Sequence, residues 1–233
     1  MAGAAWYFAY GSNMDGAQMV RRGVPFASCE GAVLRDHRLE FDFPSPTRWL
    51  GGAADVVPSP GDEVEGLLYG LADGRLLDTM DLWEGVPERM YERRRVEVRT
   101  LAARRPVAAW TYTVVEPRPG LLPSPGYVGI ILSGARAHGL SPGYVAMLED
   151  VLARSRAALG AQCRVLEALA SASGTVGERQ AAAAASIDEG QAADLLEDLR
   201  EWGWAEGAPG AGYRLVEVRR ADVPRVTGRG PWP

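Results

Sequence analysis

The sequence predicts an α+β chain in which a small closed or highly curved sheet, with helices packed on it, precedes a separate helical unit. Three observations carry this. Seven or so strand-like segments crowd the stretch before Pro123, the apolar spacing turns helical beyond it, and three helix-like segments followed by a Gly-rich hairpin fill the chain from about residue 160. With 47% apolar and 24% charged residues among 233, the composition is that of an ordinary soluble globular protein rather than a disordered one.

Taken in order, Trp6-Tyr7-Phe8-Ala9-Tyr10 is an aromatic strand that ends at the turn Gly11-Ser12-Asn13. Asp15 to Arg22 can form a short helix capped by Asn13 or Asp15. Strands are expected at Cys29 to Leu34, His37 to Phe43 and Gly52 to Val57. Turns or loops at Arg35-Asp36, Pro44-Ser45-Pro46 and Pro58 to Gly61 should separate them. Glu63 to Leu71 alternates as a further strand, and Leu76, Leu77 and Met80 share a helical spacing that leads into Asp81-Leu82-Trp83-Glu84-Gly85-Val86. Tyr91 to Thr100 and Val107 to Val115 alternate as two more strands. Ser124 to Gly139 and Ser141 to Leu159 then read as helices, each with a serine cap and Pro at the first helical position.

Beyond that point, Val165-Leu166-Ala168-Leu169, Ala181 to Ala185 and the segment capped by Asp188 give three helices, and Gly207 to Gly212 turns a hairpin. This order resembles a winged helix. Its third helix, however, carries Asp188, Glu189, Asp194, Glu197, Asp198 and Glu201 against a single Arg200, so contact with protein is expected rather than with nucleic acid. The division is therefore 1–158 for the sheet-bearing domain, 159–221 for the small helical or winged-helix-like one, and 222–233 for a flexible tail.

Composition excludes several chemistries. A net charge of −5 argues against a general nucleic-acid surface, and all 25 basic residues are Arg, which removes Schiff-base and P-loop lysine chemistry. Cys29 and Cys163 cannot make a disulfide framework, and with His37 and His138 they do not supply a paired zinc spacing. Neither histidine adjoins a nucleophile motif. Met1 to Ala5 lacks a basic leader and no apolar run approaches a membrane span, so a cytoplasmic, metal-free and cofactor-free protein is expected. Any catalysis falls to carboxylates and backbone dipoles.

Two places can carry it. The turn Gly11-Ser12-Asn13, at the end of a strand and the start of a helix, presents backbone N–H groups that can hold an anion, or it is an ordinary tight turn. Glu84, among large apolar neighbours at a helix end, is a base if desolvation raises its pKa, or a plain surface glutamate. Tyr91 and Tyr127 each begin a segment beside a Gly/Pro turn, where packing is the commoner role.

As a set, Tyr7-Phe8-Ala9-Tyr10-Gly11-Ser12-Asn13-Met14, Gly52-Ala53-Ala54, the segment Ser59 to Tyr69, Asp81-Leu82-Trp83-Glu84-Gly85-Val86, Met90-Tyr91 and Pro123-Ser124-Pro125-Gly126-Tyr127 resemble the γ-glutamylcyclotransferases, the AIG2-like fold. Gly134-Ala135-Arg136 and Gly139-Leu140 continue the likeness, which runs from residue 6 to about 155 and leaves the C-terminal unit outside. The resemblance implies a small mixed β-barrel with flanking helices and a cavity over the Tyr-Gly-Ser-Asn turn. It implies intramolecular aminolysis: the α-amine of a γ-glutamyl unit attacks its own γ-carbonyl, releasing 5-oxoproline and an amine without metal or cofactor. Glu84 would be the general base. Gly11, Ser12 and Asn13 would hold the α-carboxylate or the oxyanion, and Tyr7, Tyr10, Tyr91 and Tyr127 would line the cavity. The substrate is then a small γ-glutamyl amide, which can include a γ-glutamylated intermediate of natural-product biosynthesis. The alternative is a non-catalytic ligand-binding regulator whose C-terminal unit contacts a partner or DNA.

Overall fold

A computed structural model describes residues 5–229. Five strands close a barrel: β1 (Ala5–Ala9), β2 (Ser28–Ser45), β3 (Gly51–Leu71), β4 (Tyr91–Thr100) and β5 (Pro106–Val114), in the order β1-β3-β2-β4-β5. Neighbours pair antiparallel except where β5 meets β1 in parallel at Tyr7 and Trp110, so the barrel is mixed. Closure leaves no edge at the aromatic first strand, and Phe8, Leu67, Leu68 and Tyr69 are fully buried, so both faces of this part of the barrel wall are covered.

The barrel has five strands where about seven were expected, because two pairs of expected strands are continuous. β2 and β3 form one long ribbon whose register passes from Arg35 opposite Glu63 to His37 opposite Pro58. Ser59 to Asp62 therefore bulge opposite Asp36 instead of ending the strand. Asp36 (φ +57) accepts from Gly61 N–H at 3.0 Å, and Gly61 (φ +89) supplies the left-handed corner. Turn chemistry was present here, but it makes a bulge in a paired ribbon. Likewise Pro44 stays paired with Gly52, and Pro46–Trp49 coils into the short helix α2, numbered after α1 (Gly16–Arg21).

α3 (Leu76–Trp83), α4 (Pro125–Ala137) and α5 (Pro142–Ser171) flank the barrel. Ser124 accepts from Tyr127 N–H and Ser141 from Tyr144 N–H, each ahead of a proline in the first turn, the caps expected from the sequence. α5 does not stop at Leu159. It runs 30 residues, so the expected boundary at 158/159 lies inside one helix. Its mid-helix Gly160 costs about 1 kcal/mol relative to Ala, less than burial of Val165, Leu166 and Leu169 in the next core returns.

That second core also takes α6 (Glu178–Ala185), α7 (Glu189–Glu201) and the hairpin β6 (Ala205–Ala208) and β7 (Gly212–Leu215), with Trp204 and Tyr213 at its centre. The order of helices and hairpin follows the expectation. The expected loose tail does not appear as such: α8 (Val223–Thr227) buries Val223 and Val226, because these two apolar side chains lie three apart on one helical face. Residues 230–233, also assigned to that tail, lie outside the described residues. Among the described residues, no helix is long and apolar enough to cross a membrane.

Candidate active site

Tyr7, Tyr10, Gly11, Ser12, Asn13, Glu84, Tyr91 and Tyr127 all line one inner chamber of about 30 Å³, together with Ala54 and Tyr112. It adjoins an outer cavity of about 260 Å³, with Ser12, Glu84, Tyr91 and Tyr127 shared between them. The inner space holds little more than a water, and the outer one can take most of a small ligand. Neither His37 nor His138 lines either space.

β1 delivers the turn. After Ala9 the chain passes Gly11 into a single 3₁₀ turn, Ser12–Met14, and then into α1, which Asp15 caps by accepting from Ala17 N–H at 2.9 Å. Gly11 lets the turn pack closely, since a Cβ there would stand 3.0 Å from the Tyr127 hydroxyl and displace it slightly. Among the described residues the N–H groups of Gly11, Ser12 and Asn13 find no backbone carbonyl outside the 3₁₀ turn, and the Ser12 N–H faces the Tyr127 hydroxyl.

Asn13 does more than offer its N–H. Its side-chain Nδ2 donates to Tyr7 Oη at 2.8 Å and to Glu84 Oε1 at 2.9 Å. Its Oδ1 accepts from Arg22 at 2.6 Å and from Gln18 at 3.2 Å, and its carbonyl accepts from Tyr69 at 2.8 Å. Every hydrogen-bonding group of that amide side chain is therefore engaged, which fixes its orientation.

Glu84 sits where α3 ends. Gly85 (φ +65) turns the chain there in a left-handed conformation that favours glycine, and a Cβ at this position would also push on the Met90 side chain. The carboxylate reaches the β1 corner, 17% exposed, and Oε1 also accepts from Arg22 at 3.1 Å. Oε2 has no donor among the described residues. The surroundings differ from the apolar enclosure expected from Leu82-Trp83-Glu84. Leu82 and Trp83 are 70% and 45% exposed, because α3 turns them outward, and a buried guanidinium faces the acid instead. Arg22 is itself covered by Trp83, whose Nε1 donates to the Arg22 carbonyl at 2.9 Å while its ring lies 5.4 Å from the guanidinium.

The tyrosines divide by where their protons go. Ala54 holds two of them: its N–H donates to Tyr127 Oη at 3.0 Å and its carbonyl accepts from Tyr91 at 2.9 Å. Tyr10 donates to the Tyr112 carbonyl. The hydroxyl protons of Tyr91 and Tyr10 are thus committed to the wall, whereas Tyr127 and Tyr7 accept from the protein and keep a proton for a ligand. Burial pushes the Tyr127 hydroxyl up to about 12, opposed by the Ala54 N–H, and burial likewise raises Tyr7, reinforced by the Glu84 charge. Both remain neutral donors at physiological pH.

Sequence reasoning missed Arg22 and Gln18, which orient the acid and the amide, and Arg48 and Trp49, which line the outer cavity. A basic residue ending a short helix reads as a dipole partner, and no spacing distinguishes Arg22 from Arg21. Among the described residues, no group of three or more His, Cys, Asp or Glu could hold a metal ion.

Comparison with known proteins finds relatives of the barrel-bearing part of the chain. The AIG2-like family model matches residues 63–148. The γ-glutamylcyclotransferases of Bos taurus and Homo sapiens are 33% and 34% identical over 149 residues, covering 62% of this chain and 77% of theirs. A solved γ-glutamyl cyclotransferase structure superimposes with a TM-score of 0.56 at 31% identity, covering 63% of this chain and 86% of that one.

Proposed function

The chain belongs to the γ-glutamylcyclotransferase family and is an enzyme of that type, and from this premise we propose that Glu84 is its general base and the β1 turn its anion holder. The observation that carries the proposal is the meeting of the Glu84 carboxylate and the Gly11-Ser12-Asn13 turn at one small chamber.

The substrate's α-ammonium, with an ordinary pKa of about 7.7–8.0 or above, must lose a proton before it can attack. Glu84 Oε2 takes that proton while Asn13 and Arg22 hold Oε1 in place. The amine nitrogen then bonds to the γ-carbonyl carbon, and the carbonyl oxygen gathers negative charge. Glu84 gives its proton to the amide nitrogen, collapse of the tetrahedral centre breaks the γ-amide C–N bond, and the freed carboxylate takes the second proton from the ring nitrogen and passes it to the released amine, so that 5-oxoproline and an ammonium leave. Turn N–H groups hold the α-carboxylate or the oxyanion, and the Tyr127 and Tyr7 hydroxyls donate beside them. Ring closure is already unimolecular, and orientation can supply effective molarities of about 10⁵ M or more, so this modest set of groups suffices.

The leaving amine extends into the outer cavity. A γ-glutamyl amino acid fits this reading, and the far larger outer space also favours a bulkier γ-glutamylated biosynthetic intermediate. Incubation with γ-glutamyl-alanine and with a γ-glutamylated larger amine tests it. 5-Oxoproline from at least one is expected. Glutamate in its place would mean hydrolysis, and no product from either would refute the proposal.

A further inference from the structure

The wall of the outer cavity includes an element that cannot hold itself. α2 is four residues long and its cap, Ser45, makes no side-chain cap bond. A helix that short is far below the roughly 12–15 residues that are marginal alone in water. Yet α2 puts Arg48 and Trp49 on the cavity wall.

The C-terminal unit grips it in three ways. Trp204 Nε1 donates to the Pro46 carbonyl at 2.8 Å, at the first residue of α2. Leu50, which ends α2 in a left-handed conformation (φ +59), packs in the C-terminal core, while its neighbour Trp49 packs in the barrel core. Arg225 of α8 lies over the Trp49 ring, 4.1 Å from its centroid, and Tyr127 meets the same ring edge-on at 4.7 Å. α8 is itself pressed onto the first turn of α4, since a Cβ at Gly126 would stand 1.8 Å from the Arg225 carbonyl oxygen.

Arg48, half-buried, forms no side-chain hydrogen bond or ion pair among the described residues. Burial lowers its pKa, as do the nearby Arg22 and Arg225, and Glu84 opposes them. A guanidinium in that position still holds its proton and has its donors available to an incoming anion.

We infer that the C-terminal unit is a working part of the active site. By gripping α2, it sets Arg48 and Trp49 against the amine half of the substrate, where Arg48 receives a negatively charged group on that amine. The inference rests on the cyclotransferase reading above, with Arg225 and Trp204 as positioning residues that act through α2.

The test compares full-length wild type with Arg225→Met, Arg225→Lys and Trp204→Phe on γ-glutamyl-alanine, whose leaving amine carries a carboxylate. Arg225→Met should raise KM about fivefold or more, because a misplaced contact of this kind weakens binding steeply, while kcat and inhibition by 5-oxoproline stay within about twofold. Arg225→Lys should recover most of the loss by keeping a cation over Trp49. Trp204→Phe removes the donor to Pro46 together with part of a buried ring that also faces Arg219, and, where it folds, should move KM in the same direction, giving a second variant if Arg225→Met does not fold. Wild-type KM in folded variants would overturn the inference, as would an equal weakening of 5-oxoproline binding. A wild type that makes no 5-oxoproline overturns the cyclotransferase reading and this inference together, whereas a turning-over wild type with unmoved variants overturns this inference alone.

Discussion

Glu84→Gln isolates the proton transfer, because it exchanges one oxygen for an NH2 of nearly equal volume. The remaining amide oxygen can still accept from Asn13 and Arg22, at the positions now 2.9 and 3.1 Å from Oε1. What disappears is the basic oxygen and the charge facing Arg22. Removing one partner of a fully buried ion pair costs about 3–5 kcal/mol. Here Arg22 keeps its 2.6 Å bond to Asn13 and the Glu84 side chain is 17% exposed, so about 1–2 kcal/mol is expected. For a chain of this length that lowers the melting temperature by roughly 2–8 °C and leaves the protein folded. Positioned acid–base catalysis contributes about 10²–10⁴-fold, so kcat should fall by that factor, which raises the barrier by about 2.7–5.4 kcal/mol. Release of 5-oxoproline from saturating γ-glutamyl-alanine measures the rate, and near-ultraviolet circular dichroism with a thermal scan reports the fold. A folded variant retaining more than about a tenth of wild-type kcat would remove Glu84 from the base role.

Tyr127→Phe should leave the Ala54 N–H without its acceptor, costing about 1–3 kcal/mol in chemical denaturation and at least tenfold in kcat/KM, roughly the value of one charge-assisted donor. Gly126→Ala should destabilise the protein by about 1–3 kcal/mol, because its Cβ must displace the Arg225 backbone, and the melting temperature reads this directly. Asp55 predicts a pH dependence. Burial pushes its carboxyl up to about 6 from 3.8, although Val56 and Val114 N–H bonds oppose the rise. The folded state then holds a proton that the unfolded state releases, so this group's stabilising contribution is full below about pH 4 and is lost as pH rises through 6, by at most about 3 kcal/mol. Asp55→Asn should flatten that fall in melting temperatures taken from pH 4 to 7, and an unchanged slope would assign it to other groups.

The site was legible in the sequence where chemistry and local geometry coincide. An aromatic strand stopped by Gly11-Ser12-Asn13, and an acid stopped by Gly85, each announce a turn, and both turns end at the chamber. Arg22 was not legible, because its role depends on the residue that caps α1 lying against the end of α3, a tertiary fact with no local signature. Proline and glycine in Pro58 to Gly61 predict a loop because they mark a departure from regular pairing without saying whether the strand resumes, as it does here past the bulge at Ser59 to Asp62. Continuity of α5 escaped for the opposite reason: Gly160 looks like an end, and only burial on both sides carries the helix through it. The closing segment's polar, proline-rich composition hid two valines that find a core only once α4 and α5 are in place.

The peptide groups of Ala54 anchor Tyr91 through an oxygen and Tyr127 through a nitrogen, so one link of main chain sets the spacing between two walls. Such an anchor is invisible to any substitution that keeps an ordinary backbone, since every residue but proline offers the same two atoms. A proline there would release one wall and leave the other tethered, giving a chamber that is lopsided rather than merely loose. The gauge of this cavity is therefore written in the path of β3, and remodelling its width calls for shifting that strand's register instead of exchanging the side chains that face the ligand.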